Sequence, residues 1–198
     1  MTLELLQSFA AIKDIREYLN QPFRVGDFAV ASDGNHLIAI HDPENTYQLA
    51  DVNVESVTKH ITRLIEDAQL KTNYRALTDI DWPEDKPCTF CHGSGMDEGE
   101  CPDCDGRGWF HNGKHRYECE ECKGTGNVEP QPCVICNGRG KVSGQITLDG
   151  RLFNASYLKK FSVIDGAEIA LAVTPPDRHD PAHFRFNGGV GAVMPMRF

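Results

Sequence analysis

Cys88-Thr89-Phe90-Cys91-His92-Gly93-Ser94-Gly95 is a word that the chain spells four times. It returns as Cys101-Pro102-Asp103-Cys104-Asp105-Gly106-Arg107-Gly108, then as Cys119-Glu120-Glu121-Cys122-Lys123-Gly124-Thr125-Gly126, and last as Cys133-Val134-Ile135-Cys136-Asn137-Gly138-Arg139-Gly140. The four copies of Cys-x-x-Cys-x-Gly-x-Gly use all 8 cysteines of the 198-residue chain. Four matched pairs are enough for two tetrahedral four-cysteine sites, because a CxxC turn aims both sulfurs at one ion about 2.3 Å away. The glycines after each second cysteine reach positive φ at little steric cost, so the chain can curl its N–H groups toward the thiolates. With no pair incomplete, neither site keeps the open position of a catalytic zinc, and both ions read as structural.

Other chemistries fit less well. A disulfide framework needs an oxidising compartment, and no charged-then-apolar leader precedes residue 20, so a cytoplasmic setting is expected. Redox CxxC motifs place a low-pKa thiol at a helix N-terminus, whereas glycines follow each pair here. Iron suits an all-sulfur tetrahedron as zinc does and stays open as an alternative; two Zn2+ ions are the reading adopted.

Residues Cys88 to Gly140 resemble the cysteine-rich domain of DnaJ-type co-chaperones, which carries the same word four times. The resemblance implies that the first and fourth words share one zinc through Cys88, Cys91, Cys133 and Cys136. It implies likewise that the second and third share another through Cys101, Cys104, Cys119 and Cys122. The intervening Trp109-Phe110-His111-Asn112-Gly113-Lys114-His115-Arg116-Tyr117 agrees independently, since its Asn-Gly signals a type I′ hairpin between aromatic-rich arms. His92, His111 and His115 are expected to be exposed, the thiols already filling both sites. The rest of the DnaJ plan is missing: the chain has no His-Pro-Asp tripeptide and no Gly/Phe-rich linker.

The composition, 40% hydrophobic and 25% charged, is that of a globular protein, without an apolar run of membrane-spanning length. Formal net charge is −9. Ionising all eight thiols and adding two zinc ions takes it to about −13. A field of that sign disfavours direct nucleic-acid binding by the whole surface, although a local basic patch remains compatible with it.

An α+β body is expected on both sides of the cysteine-rich segment, from residues 1–80 and 142–198, with 81–87 as a stiff polar linker and 88–140 as the zinc domain. Leu5, Leu6, Phe9, Ile12, Ile15 and Leu19 predict one helix over 3–19. Phe23 to Ala31 and His36 to Ile40 read as alternating strands around a turn at 32–35. Val57, Ile61, Leu64 and Ile65 predict a helix over about 54–70, with Asn53 as N-cap. Past the zinc domain, 142–153 reads as a strand turned near Asp149-Gly150, and Asn154 caps a helix to about Val163. Strands are expected over 168–173, 183–186 and 190–196, with a turn at Gly188 to Gly191.

These flanks are similar to one repeat of the bacterial DNA polymerase III sliding clamp. Phe153-Asn154-Ala155-Ser156-Tyr157-Leu158-Lys159-Lys160-Phe161 matches a helix-opening segment of the clamp's last domain, and Gly191-Ala192-Val193-Met194-Pro195-Met196-Arg197-Phe198 matches its carboxy-terminal tail. The resemblance implies a peptide groove lined by Met194, Pro195, Met196 and Arg197.

No P-loop, G-x-S-x-G or H-E-x-x-H occurs, so no catalysis is expected. The leading expectation is a non-catalytic, zinc-binding scaffold whose distal hairpin recognises a protein or peptide through exposed Trp109, Phe110 and Tyr117. A replication-associated clamp-like factor or clamp mimic is one alternative, and a thiol-active chaperone or oxidoreductase another. The sequence leaves the oligomeric state open.

Overall fold

The structure is a computed structural model that describes residues 2–52, 54–97, 99–171 and 180–196. It divides into two units, Met1–Glu84 with Ser143–Phe198, and Asp85–Val142. Along the chain come α1 (Leu3–Phe9), a 3-10 turn (Glu17–Asn20), β1 (Phe23–Val25), β2 (Phe28–Ser32), β3 (His36–His41), α2 (Glu55–Leu70) and β4 (Arg75–Ala76). The second unit brings β5 (Asp85–Pro87), β6 (Met96–Asp97), β7 (Trp109–Asn112), β8 (His115–Glu118), β9 (Gln131–Pro132) and β10 (Lys141–Ser143). The first unit resumes with β11 (Gln145–Leu148), β12 (Arg151–Asn154), α3 (Ala155–Ser162), β13 (Glu168–Ala170), β14 (Ala182–Phe186) and β15 (Gly189–Val193). The fold class is α+β.

The first unit is organised by one seven-stranded sheet in the order β1-β2-β3-β15-β14-β13-β4, antiparallel between all neighbours. Its two halves meet at the centre, where β3 pairs with β15 and Ile38 faces Gly191. Both faces are covered. Ile61, Ile65 and Ala68 of α2 pack with Val30, Leu37, Ala39 and Val190. Leu6 and Phe9 of α1, with Leu158 and Phe161 of α3, pack on Ile38, Ile40, Phe184 and Val193. Successive side chains of a strand point to opposite faces, so a sheet covered twice needs apolar residues at every position. That is why His36–Ile40 is buried throughout, and the alternating polar face expected there does not exist.

Three further expectations are corrected. The first helix ends at Phe9 instead of Leu19, and Ile15 is 98% exposed. Lys13 has φ 59°, and Asn20 closes residues 14–20 with paired side-chain bonds to the backbone N–H and carbonyl of Asp14. The Asp14 carboxyl, held at about 2 by hydrogen bonds from Arg16, braces the same turn. Such local side-chain to backbone bonds compete with helix. The strand expected over Phe23 to Ala31 is broken into a hairpin, because Gly26 at φ 56° turns the chain between β1 and β2. The turn expected at Gly188 to Gly191 is shorter: Gly189 and Gly191 lie in β15, where a Cβ at Gly191 would strike the Phe161 ring and the Leu37 carbonyl.

The helix over Glu55–Leu70 buries Ile61, Leu64, Ile65 and Ala68; its proposed cap Asn53 lies outside the described residues. Asn154 caps α3 by accepting from the Ser156 N–H at 3.0 Å. The segment 142–153 forms β10, β11 and β12, turning at Asp149, whose φ is 47°, and Gly150. β13 ends at Ala170, and 172–179, with the end of the strand expected over 168–173, lies outside the described residues. No helix among the described residues is long and apolar enough to cross a membrane.

Candidate metal centre

Each cysteine word builds half of a site in the same way. The first cysteine starts a tight turn that closes when the first glycine returns its N–H to that cysteine's carbonyl; Gly106 to Cys101 and Gly138 to Cys133 do this at 3.1 and 3.0 Å. The residue after the second cysteine adopts left-handed backbone in every word: His92, Asp105, Lys123 and Asn137 have φ of 49, 51, 50 and 51°. The second glycine then aims its N–H at the second sulfur. Gly95 reaches Cys91 Sγ at 3.3 Å, Gly108 reaches Cys104 at 3.1 Å, and Gly126 and Gly140 reach Cys122 and Cys136 at 3.2 Å. One sulfur in two thus receives a backbone donor that disperses thiolate charge.

The words associate in nested pairs. The N–H of Cys88 donates to the carbonyl of Gly140 at 2.8 Å, and that of Cys133 returns the bond to Gly95 at 2.9 Å. Strands β6 and β9 pair beside them. Cys88, Cys91, Cys133 and Cys136 come together in one buried group; Cys101, Cys104, Cys119 and Cys122 come together in another, with all sulfurs of a group within 4.8 Å of each other. Across the words, sulfurs lie 3.9 Å apart (Cys88–Cys133), 3.7 Å (Cys91–Cys136) and 3.8 Å (Cys101–Cys119 and Cys104–Cys122). A tetrahedron of 2.3 Å zinc–sulfur bonds has edges of about 3.8 Å. A disulfide would bring its sulfurs to about 2.05 Å. The donor set therefore fits two Zn2+ ions, and the cysteines are free thiols.

As thiols alone, the sulfurs divide charge unevenly. Burial opposes ionisation of Cys91, but the Gly95 N–H and the Cys136 and Cys88 thiols outweigh it and hold it at about 6. Burial likewise opposes ionisation of Cys122, which the Gly126 N–H and neighbouring thiols hold at about 7. Burial pushes Cys101 up to about 12 and Cys136 up to about 11. Ionising all four sulfurs of a group requires a divalent cation at their centre. His92, His111 and His115 are exposed.

Between the second and third words, β7 and β8 form a two-stranded hairpin. Its register differs from the expected Asn-Gly turn: Asn112 pairs with His115, leaving Gly113 and Lys114 as the loop, and only Gly113 has positive φ (65°). That is the type II′ pattern. Phe110 and Tyr117 face each other across the strands, 39% and 54% exposed. Trp109, expected to be exposed, is half-buried because the Arg116 guanidinium lies 4.4 Å over its ring and His111 meets its edge.

In the first unit, Met194, Pro195 and Met196 are half-buried beyond the end of β15, and Arg197 lies outside the described residues. Met194 is held by its N–H to the Asn35 carbonyl at 2.8 Å and lines a cavity of about 320 Å³ with Arg16, Tyr18, His36, His60 and Ile61. The Met196 N–H bonds the Leu152 carbonyl instead. One cluster escaped the sequence reading. His36, 2% exposed, meets Asp33 through Nδ1 at 2.7 Å and Lys160 Nζ through Nε2 at 2.9 Å, and Lys160 also donates to the Ser8 carbonyl. The signal for its first half was Asp33-x-x-His36, an aspartate positioned to accept from the backbone of its own turn.

No family model matches the chain. The chain is 36% identical over 93 residues to the chaperone protein DnaJ 2 of Corynebacterium efficiens, covering 43% of this chain and 22% of that protein. It is 36% identical over 85 residues to the chaperone protein DnaJ of Nitrosomonas europaea (39% and 23%), and 34% identical over 95 residues to that of Methanothermobacter thermautotrophicus (41% and 25%). The chain thus spans about a quarter or less of the length of these relatives. Among solved structures, a DNA polymerase sliding clamp from Pseudomonas aeruginosa is similar with TM-score 0.38 and 18% identity, over 99% of this chain and 64% of that one. A β sliding clamp from C. crescentus gives 0.37 and 15%, over 99% and 63%. With relatives of one kind over about 40% of the chain and two buried four-cysteine groups, the cysteine-rich unit fits a DnaJ-type zinc-finger domain.

Proposed function

We propose that this protein is a non-catalytic, zinc-binding interaction or scaffold protein. Its Asp85–Val142 unit uses two structural Zn2+ ions to hold up a hairpin that recognises protein segments. Cys88, Cys91, Cys133 and Cys136 hold one ion; Cys101, Cys104, Cys119 and Cys122 hold the other. The observation that carries this reading is the pair of buried tetrads with sulfur edges of 3.7–3.9 Å. Among the described residues of this unit, the buried apolar ones are the cysteines themselves, with half-buried Val142 and Val128 packed against them. A core that small leaves the folding energy to the metal.

Phe110 and Tyr117 are the contact residues, with Trp109 on the opposite face under the Arg116 guanidinium. Aromatic anchors of this kind dominate interface energetics. Met194, followed by Pro195 and Met196, offers a second contact at the cavity beside α2, where a flexible thioether adapts to different side chains. A chaperone-associated role is the second reading, favoured by the relatives, which are chaperone proteins. A thiol-active role gains no support from the sulfurs, which are all buried.

The test is elemental analysis of the purified chain, joined to a pull-down. Two zinc equivalents, and a bound protein lost with Phe110→Ala plus Tyr117→Ala at unchanged metal content, are the expected results. Well under two metal equivalents, or a mass showing cystines, overturns the metal reading. Retention of the same protein by the double variant overturns the hairpin contact.

A further inference from the structure

From Gly106 to Tyr117 the chain carries Arg107, Lys114 and Arg116, plus His111 and His115, without a single Asp or Glu. This local inversion in an acidic protein coincides with the hairpin. All residues from Phe110 to Glu118 are exposed. Several other arginines find carboxylates: Arg16 meets Asp14 at 2.8 Å, Arg75 meets Asp149 at 3.3 Å, and, within the stretch itself, Arg107 meets Asp105 at 3.2 Å. Lys114 and Arg116 make no ion pair among the described residues, and Arg116 spends its charge on the face of Trp109. Two exposed cations left without anions border the exposed Phe110–Tyr117 pair, Lys114 in the loop and Arg116 on the opposite face of the ladder with Trp109 and His111.

The polarity reverses within one strand. Glu118, Glu120 and Glu121 stand exposed at the foot of β8, as do Asp103 and Asp105 of the preceding word. A nucleic-acid strand carries its charge at every phosphate and would run from the cationic tip onto this acidic foot. A polypeptide can place carboxylates only where the tip needs them. β7 and β8 also make a two-stranded sheet, so each keeps an outer edge on which an extended segment can lie.

Resting on the reading of the hairpin as a protein contact, we infer that its partner is an extended acidic protein segment lying along an edge of the hairpin: an apolar side chain turns to Phe110 and Tyr117, and its Asp or Glu neighbours, pointing to the other face, meet Arg116 there and Lys114 in the loop. Complementary charge of this kind steers encounter and fixes register, while the aromatic pair supplies the burial.

The experiment uses the full zinc-loaded chain and fluorescence anisotropy with four labelled probes. Three are peptides of equal length around one Phe, flanked by Asp and Glu, by Ser and Gln, or by Lys; the fourth is an oligo-dT single strand. The acidic peptide is expected to bind about tenfold more tightly than the Ser/Gln peptide, and more weakly as salt is raised. Lys114→Glu with Arg116→Glu should erase that preference and favour the Lys peptide, at an unchanged two zinc equivalents. Equal binding of acidic and neutral peptides overturns the inference; if Phe110→Ala then abolishes both, the hairpin still stands as a protein contact. Tighter binding of oligo-dT than of the acidic peptide overturns the partner class. Binding of none of the four overturns the inference as well, and the pull-down above then judges the hairpin contact separately.

Discussion

The backbone N–H of Cys101 donates to the carbonyl of Gly126 at 2.8 Å, locking the first sulfur of one word to the last residue of another. Cys119 mirrors it by donating to Gly108 at 2.9 Å. This reciprocity leaves no room for a side chain. A Cβ on Gly126, at φ 79°, would strike the Gly106 carbonyl, and one on Gly108 would strike that of Gly124. Gly126→Ala should therefore lose the Cys101/Cys104/Cys119/Cys122 ion, halving the zinc content, although no ligand has been changed. Metal analysis after dialysis against a weak chelator measures this; two retained equivalents would show that the words can separate without releasing sulfur.

Cys88→Ser removes a soft ligand from the other group and leaves its three remaining thiols buried without their full set. The Asp85–Val142 unit has little else to hold it, whereas the seven-stranded sheet has two apolar clusters of its own. The variant should lose protease resistance between residues 85 and 142 and keep the near-ultraviolet signal of the sheet unit. A wholly molten spectrum would refute that independence.

His183 should contribute to acid sensitivity. It is 2% exposed, its Nδ1 has no hydrogen-bond partner among the described residues, and burial, joined by Lys71, lowers it from 6.5 to about 4. The folded state therefore resists a proton that the unfolded chain accepts. Its contribution is fully present above pH 6.5, shrinks as pH falls, and is gone below about 4, a loss of about 3 kcal/mol across that window. His183→Gln should flatten the slope of unfolding free energy between pH 6.5 and 4. Denaturant titrations at both pH values provide the check, and an undiminished slope would move the effect to other groups.

Gly191 and Phe161 set the packing of α3 on the sheet. A Cβ at Gly191 would meet the ring of Phe161 and come within 2.9 Å of the Leu37 carbonyl. Gly191→Ala should cost about 1–3 kcal/mol by overpacking. Phe161→Ala, which empties the same place, should cost about 3–5 kcal/mol. Combining them should cost less than the sum, because the smaller residue makes space for the added methyl. Additive losses in chemical denaturation would contradict this contact.

Periodicity and repetition were readable in the sequence. The four words announced a metal-binding unit because spacing within eight residues is a local property. The α2 stripe of Ile61, Leu64 and Ile65 and the Asn154 cap of α3 follow from the same locality. Features that depend on long-range partners were not readable. Residues 37–40 are apolar on both faces because α2 covers one side and α1 and α3 the other, which no window of the sequence reveals. Gly191 looked like turn chemistry, yet its reason is Phe161, thirty residues earlier. At Asn112-Gly113 the signal was right in kind and wrong by one residue, since the pairing of Asn112 with His115 moved the turn onto Gly113 and Lys114. His36 was invisible as a titratable centre because Lys160 reaches it from α3, distant in sequence.

The strands Asp85–Pro87 and Lys141–Ser143 pair with each other, so the polypeptide leaves for its sulfur-rich excursion and comes back through a single doorway. To the host, such a detour is equivalent to a long loop between neighbouring points. A module with that footprint should be portable, open to excision, lengthening or exchange without rewiring the strand order of its recipient.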